Sequence, residues 1–388
     1  MASPTLDFRS HLSETAFAFR GYNVTNLGRT PELLAHAAYG PIVESHLRDA
    51  SAVCGEVLKR PVDLVARVRA GQETRGLETY AEDIALIVAV ELAHVRILEQ
   101  FFGLSISKSR LTFGYSLGEC TALIAAGVYE MADLLRVPLA VASDCAELAR
   151  EVTLSVLLSR GPVLDLDAVR RLCLEISQEG RGIIDVSTYL SPNSLILMGQ
   201  NGSLDVFEKR VKDLFAHQVY FRRNLHRWPP IHTPILWQRS IPNRAGLLLQ
   251  TIPGGFKAPS VPILSMVTGA TSYGELNSRE LLNQWIDHPQ RLWEVIYKVL
   301  ADGIETVVHL GPEPNLLPAI FHRLSNNLSA RTRGRDLGSL GRRTISNLVR
   351  RPWLTRLLPS SAVLFRSLFV NHIILEDWLL AEPAKAAA

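Results

Sequence analysis

Along residues 31–103, apolar positions recur every three or four residues. The segments PELLAHAAYGPIVESHLRDASAVCGEVL and ETYAEDIALIVAVELAHVRILEQFFG both carry such a stripe, and the spacing predicts helices. The rhythm then breaks. Residues 110–113 (RLTF) read as a short strand. Residues 117–126 read as an Ala- and Leu-rich helix closed by Gly127, and 131–151 as a second helix. Further on, LSVLLS (154–159), IIDVST (183–188), LILMG (195–199) and VYFRRN (219–224) are strand-like. The helical stretches DLDAVRRLCLEISQEG and SLDVFEKRVKDLFAHQ separate them. That order, β-α-β-β-α-β, predicts a ferredoxin-like unit. VPILSMVTG (261–269) then predicts a buried strand, 280–299 a helix, and TVVHLG (306–311) another strand. Strands alternating with helices imply a mostly parallel sheet. The pattern therefore predicts an α/β core over 1–151 and 225–325, with a ferredoxin-like subdomain inserted at 152–224.

From residue 326 the pattern changes again. RTRGRDLGSLGRRTISNLVRRPWLTRLL is arginine-rich, with Asp336 as its one acidic residue between 331 and 356, and an apolar stretch, VLFRSLFVNHIILEDWLL, follows. Basic charge beside apolar groups suits an anionic lipid surface. Glu376 and Asp377 speak against that contact. The reading favoured is a helical C-terminal extension, 326–388, docked on the chain's own core through Leu364, Phe365, Leu368, Phe369 and Ile373.

Composition narrows the class. The chain has 388 residues, 47% hydrophobic and 20% charged. That suits two domains, or one large domain with an insertion. A net charge of +3 is too mild to argue for nucleic acid. Cys54, Cys120, Cys145 and Cys173 form no C-x-x-C pair, and the N-terminal MASPTLDFRSH is polar. These features predict reduced buried thiols in a cytoplasmic protein, with no metal. The apolar run at 84–90 is far short of a membrane span.

Candidate chemistry enters at Gly114-Tyr115-Ser116-Leu117-Gly118, a G-x-S-x-G pentapeptide. Alone it is a weak signal. Between a strand and a helix it describes a sharp turn that exposes a serine hydroxyl. The same turn aims the first free N–H groups of the helix at whatever the serine attacks.

Six segments then come in a familiar order: FAFRGYN (17–23), GYSLGE (114–119), SPNSLILMG (191–199), IHTP (231–234), VPILSMVTG (261–269) and HLGPEPNLL (309–317). Over residues 15–325 the chain resembles the malonyl-CoA:acyl-carrier-protein transacylases and the acyltransferase domains of fatty acid and polyketide synthases. The resemblance implies a hydrolase-like α/β core carrying the small subdomain. It implies two-step acyl transfer, from an acyl-CoA through a seryl ester to the phosphopantetheine thiol of an acyl carrier protein, with no bound cofactor. Ser116 matches the family nucleophile and His232 the base that takes its proton. The backbone carbonyl of Trp285, in Trp285-Ile-Asp-His-Pro289, matches the acceptor that orients the histidine, a backbone role that tolerates tryptophan where the family has glutamine. Leu117 and Tyr22 match the two backbone N–H donors of the oxyanion hole.

The departures fall on the acyl pocket. Where malonyl-transferring members have an arginine, 25 residues after the serine, this chain has Val141. Tyr115 replaces the usual histidine, Leu190 and Met266 replace asparagines, and the residues up to the catalytic histidine read Pro-Pro-Ile-His. A carboxylate bound without a cation loses its hydration uncompensated, at several kcal/mol. The pocket therefore favours an uncharged acyl group. The alternative is malonyl transfer with a cation supplied by Arg150, Arg222 or Arg223. An esterase lacks a ferredoxin-like insert, and a patatin-like lipase needs a later D-G-G or D-G-A that Asp302-Gly303-Ile304 does not match. Hydrolysis of acyl-carrier thioesters and a non-catalytic scaffold stay open. Carrier proteins of the family are acidic, which nominates Arg222, Arg223 and Arg227 as a docking patch.

Overall fold

The computed structural model describes residues 8–160, 162–215, 219–332 and 363–382, the side chains of 326–332 aside. The fold is mixed α/β with a parallel main sheet. Five strands build that sheet: β1 (Thr15–Phe19), β2 (Leu111–Gly114), β7 (Ile263–Leu264), β8 (Thr306–Leu310) and β9 (Asn371–Ile374). Their order is β7-β2-β1-β8-β9 and all four pairings are parallel. The central strand, β1, is one that periodicity does not announce. Its residues TAFAF are buried on both faces, so no polar alternation marks it. Phe17 and Phe19 face a core shared with the helices Gly40–Leu58 and Tyr80–Phe102. Ala16 and Ala18 face a second core with Leu292–Ala301.

A second, antiparallel sheet holds β3 (Val152–Ser159), β4 (Ile184–Ser191), β5 (Ser194–Gln200) and β6 (Val219–Arg223), in the order β4-β5-β3-β6. The helices Leu166–Gln178 and Ser203–Leu214 pack on it through Val169, Leu172, Phe207 and Val211.

Four expectations need correction. The single helix over 280–299 is two helices, Ser278–Asp287 and Leu292–Ala301. Pro289 carries no N–H and disfavours helical backbone before it, so the chain leaves the helix at His288. The strand expected over 261–269 is two residues long. The C-terminal extension is not simply helical. A 3-10 turn, Leu364–Leu368, leads into β9, which pairs with β8, and a short helix, Leu375–Ala381, follows. Phe365 is buried, Leu364, Leu368 and Ile373 are half-buried, and Phe369 is 38% exposed. β-branched Ile373 and Ile374 suit an edge strand, whose pairing with β8 outweighs the helical spacing. The helix Leu316–Thr332 also runs through the boundary expected at 325. The arginine-rich stretch lies almost wholly outside the described residues.

Candidate active site

β2 ends at Gly114 and the helix Leu117–Ala125 begins at Leu117. Ser116 joins them at φ 52° and ψ −118°, a conformation that costs an L residue of order 1–3 kcal/mol. Glycine at 118 is a steric need. A Cβ there would lie 2.4 Å from the Phe19 carbonyl oxygen and 2.6 Å from that of Arg20. The end of β1 is thus pressed against the turn. A Cβ on Gly21 would come within 2.8 Å of the Tyr115 oxygen and 3.3 Å of Ser116 Cβ.

Ser116 Oγ is 2.7 Å from His232 Nε2, and His232 Nδ1 is 2.6 Å from the Trp285 carbonyl oxygen. The carbonyl can only accept, so Nδ1 carries the ring proton and Nε2 is free to accept from the serine hydroxyl. His232 is 4% exposed. Burial pushes its pKa down to about 3, and the hydrogen bond to Trp285 opposes that shift. The ring is therefore neutral across the neutral pH range, as a base must be. His232 also stands at φ 68°, so both partners occupy backbone conformations that surrounding contacts must hold.

The two expected oxyanion donors lie on the serine helix and on the loop after β1. Leu117 opens its helix and has no carbonyl four residues back within it. Tyr22 follows Gly21, whose close approach to Tyr115 and Ser116 is described above. Its ring packs edge-on against Tyr80, with centroids 4.8 Å apart, and against Trp228 at 6.0 Å.

The expected pocket residues divide between the two cores. Leu190 and Met266 are buried together, Tyr115 packs on them, and the Tyr115 hydroxyl is 3.0 Å from Thr188 Oγ1. Val141, 5% exposed, belongs to the core that includes Leu117 and borders Tyr22. Arg150 is exposed. Arg223 pairs with Asp205 at 2.5 Å and Glu208 at 2.8 Å. Arg227 donates to the Val152 carbonyl at 3.1 Å. Arg222 is exposed on β6, opposite Val156. Cavities of about 1000 Å³ and 700 Å³ lie elsewhere, the first between the helices Gly40–Leu58 and Leu64–Arg69, and Ser116 lines neither. Among the described residues no His, Cys, Asp and Glu group could hold a metal, and no helix is long and apolar enough to cross a membrane. The four cysteines are free and buried.

Several site residues went unnoticed in the sequence. Glu119, pushed up to about 7 by burial, accepts from the Tyr273 hydroxyl (2.8 Å) and Met266 N–H (3.1 Å), tying the serine helix to the β7 loop. Arg20 is wholly buried and holds the Tyr22 loop. Gln290 touches Ser116 and His232. Arg20 and Glu119 lie inside quoted segments, FAFRGYN and GYSLGE. Gln290 follows Pro289 directly, yet only the fold brings it to the turn.

No family model matches the chain. Curated relatives do. The malonyl CoA-acyl carrier protein transacylase of Salmonella typhimurium is 26% identical over 319 residues, covering 82% of this chain and 95% of that protein. That of Escherichia coli K12 is 25% identical over the same shares. Over most of its length the chain resembles the malonyl-CoA:acyl-carrier-protein transacylases. Solved transacylases share its fold. FabD from Acinetobacter baumannii superposes with a TM-score of 0.62 at 19% identity, over 78% of this chain and 88% of that one. A type II polyketide malonyl-transacylase, solved in complex with its acyl carrier protein, gives 0.62 at 21% identity, over 79% and 91%. Within this family setting, the tryptophan at 285 has a side-chain partner that a backbone role does not require. Its indole N–H donates to the Ser116 carbonyl at 2.9 Å.

Proposed function

We propose that the protein is an acyltransferase. It moves an acyl group from a CoA or carrier thioester, through an ester on Ser116, to the phosphopantetheine thiol of an acyl carrier protein. The observation that carries this reading is the 2.7 Å contact between Ser116 Oγ and a neutral His232. His232 Nε2 takes the hydroxyl proton as Oγ attacks the thioester carbonyl. Leu117 N–H and Tyr22 N–H stabilise the oxyanion. The C–S bond breaks, and the proton passes from His232 to the departing thiolate. The carrier thiol then attacks the seryl ester by the same steps in reverse.

The acyl group is uncharged in this reading. Val141 is buried among apolar residues, Leu190 and Met266 extend that character, and a guanidinium that could fork onto a carboxylate is missing from position 141. An acyl carrier protein as acceptor accords with the relatives' names and with the carrier complex of a structural neighbour. Arg222 and Arg227 are the docking cations; Arg223 is already neutralised by Asp205 and Glu208. We further read the four-stranded sheet and its two helices as the family's ferredoxin-like subdomain, and the main sheet as its hydrolase-like core.

Intact-mass spectrometry with a panel of acyl-CoAs tests the reading. The expected result is a single adduct, absent from Ser116→Ala, formed faster with acetyl, butyryl or longer chains than with malonyl. Val141→Arg should move the preference toward malonyl. An adduct that survives Ser116→Ala overturns the mechanism, and faster malonyl loading by the wild type overturns the acyl assignment. Release of free acid without an acceptor thiol, as fast as transfer with one, would favour a hydrolase.

A further inference from the structure

The end of the first helix of the broken element and the link after it, residues 285–290, touch both partners of the reacting pair. Trp285 gives its carbonyl to His232 Nδ1 (2.6 Å) and its indole N–H to the Ser116 carbonyl (2.9 Å). The Ile286 carbonyl accepts from His232 N–H at 2.8 Å. The Gln290 amide oxygen accepts from Ser116 N–H at 3.3 Å, and its amide nitrogen lies 3.1 Å from His232 Nδ1. Nδ1 already donates its N–H to the Trp285 carbonyl, so the amide nitrogen, itself a donor, makes no hydrogen bond there. Gln290 is itself wholly buried and fixed at both backbone groups. Its N–H donates to Ser187 oxygen (2.8 Å) and its carbonyl accepts from Tyr189 N–H (2.9 Å), which anchors it to β4.

Ser116 and His232 stand at φ 52° and φ 68°, and at both the backbone is held by this one segment. We propose that the side chains of Trp285 and Gln290 are positioning residues: they clamp the carbonyl and the N–H of Ser116 and so set its hydroxyl against the imidazole. This inference rests on the acyltransfer reading for its biological meaning, but its geometry concerns only an activated serine. The clamp acts through the alignment of Oγ and Nε2, and a displacement of about 1 Å in such a pair costs on the order of 100-fold in rate.

A serine-directed fluorophosphonate probe separates the two readings, because it needs an activated serine and no acyl-CoA or carrier. Trp285→Phe keeps the ring and removes the N–H. Gln290→Leu removes the amide. Each should slow labelling about 10- to 100-fold, and slow acyl-CoA loading through kcat with KM nearly unchanged, while the melting temperature moves little. Gln290→Glu adds a readout that a merely structural role would not move. The groups facing the imidazole are Ser116, the Trp285 carbonyl and indole, and Gln290, none of them charged. A carboxylate against Nδ1 should raise the histidine pKa and shift the acid limb of the labelling rate to higher pH. Should one variant fail to fold, the other two still decide. Wild-type labelling rates in Trp285→Phe and Gln290→Leu, with an unmoved acid limb in Gln290→Glu, overturn the clamp. A wild type that takes the fluorophosphonate but no acyl-CoA overturns the acyltransfer reading and leaves the clamp. A wild type that takes neither overturns both.

Discussion

The turn at Ser116 and the loop at Tyr22 would each give one N–H to an oxyanion, yet they are held by different physics. Uncharged groups hold the turn: the packing of Gly118 under Phe19, the Trp285 indole and the Gln290 amide. Buried charge holds the loop. The Arg20 guanidinium donates to the carbonyls of Gly21 (2.9 Å) and Pro312 and to Asn26 Oδ1 (2.8 Å), and its backbone N–H donates to Glu91 at 2.6 Å. Glu376, from the C-terminal segment, accepts from Arg29 N–H (2.8 Å) and Glu313 N–H (3.1 Å), linking the loop to 312–314. Burial lowers Arg20 to about 10 and raises Glu91 to about 8 and Glu376 to about 7. The groups that touch Ser116 itself are thus uncharged, whereas the loop depends on carboxylates that titrate near neutrality.

Ending the chain after Thr332 should produce the largest effect on this contrast. It removes the buried Leu375, Leu379 and Phe365 and exposes the apolar surface they cover, takes β9 from the β8 edge, and deprives Arg29 and Glu313 of their shared acceptor. The expected loss exceeds the about 2–5 kcal/mol of a single buried Leu→Ala change, seen as a lower melting temperature and poorer solubility. A truncated chain that melts with the full-length protein would show the loop to be self-supporting.

Smaller and opposite effects should come from one substitution on each side. Glu376→Ala leaves two backbone donors without an acceptor and should cost about 1–3 kcal/mol, while slowing serine labelling. Ser116→Gly removes the side chain that resists φ 52° and should gain about 1 kcal/mol, while abolishing labelling. Denaturant titration measures both. A stabilising Glu376→Ala, or a destabilising Ser116→Gly, would collapse the comparison.

The smallest effect concerns pH. Glu376 titrates near 7 in the fold and near 4.5 as an ordinary carboxyl. With the folded value raised, its contribution to stability is complete below the unfolded value and is lost as pH rises through about 7. Glu376→Gln should flatten that part of the melting-temperature profile between pH 5 and 8. The acid limb of serine labelling, set by the depressed His232, should stay where it was. Coincident changes in both profiles would mean that the two halves titrate as one.

Legibility followed the range of the interactions. The elbow was readable because its meaning lies in five consecutive residues: a turn this tight leaves no room for a Cβ at positions 114 and 118, two residues either side of the serine. The second sheet was readable because its half-buried strands alternate and its helices carry separated apolar and polar faces. β1 was not, since a strand buried on both faces shows no period. Apolar spacing alone makes 280–299 one helix, while Pro289 breaks it in two.

The sequence by itself determined the α/β class, the β-α-β-β-α-β order, the serine turn and the pairing of Ser116 with His232, because local backbone sterics and periodic burial encode the first three and segment order points to the last. Tertiary structure alone decided that β9 joins the main sheet, that Glu376 reaches Arg29 across 347 positions, and that Gln290 meets Ser116 across 174. No periodicity carries such contacts. They exist because a buried polar group must find a partner, and which partner is near is set by how the elements pack.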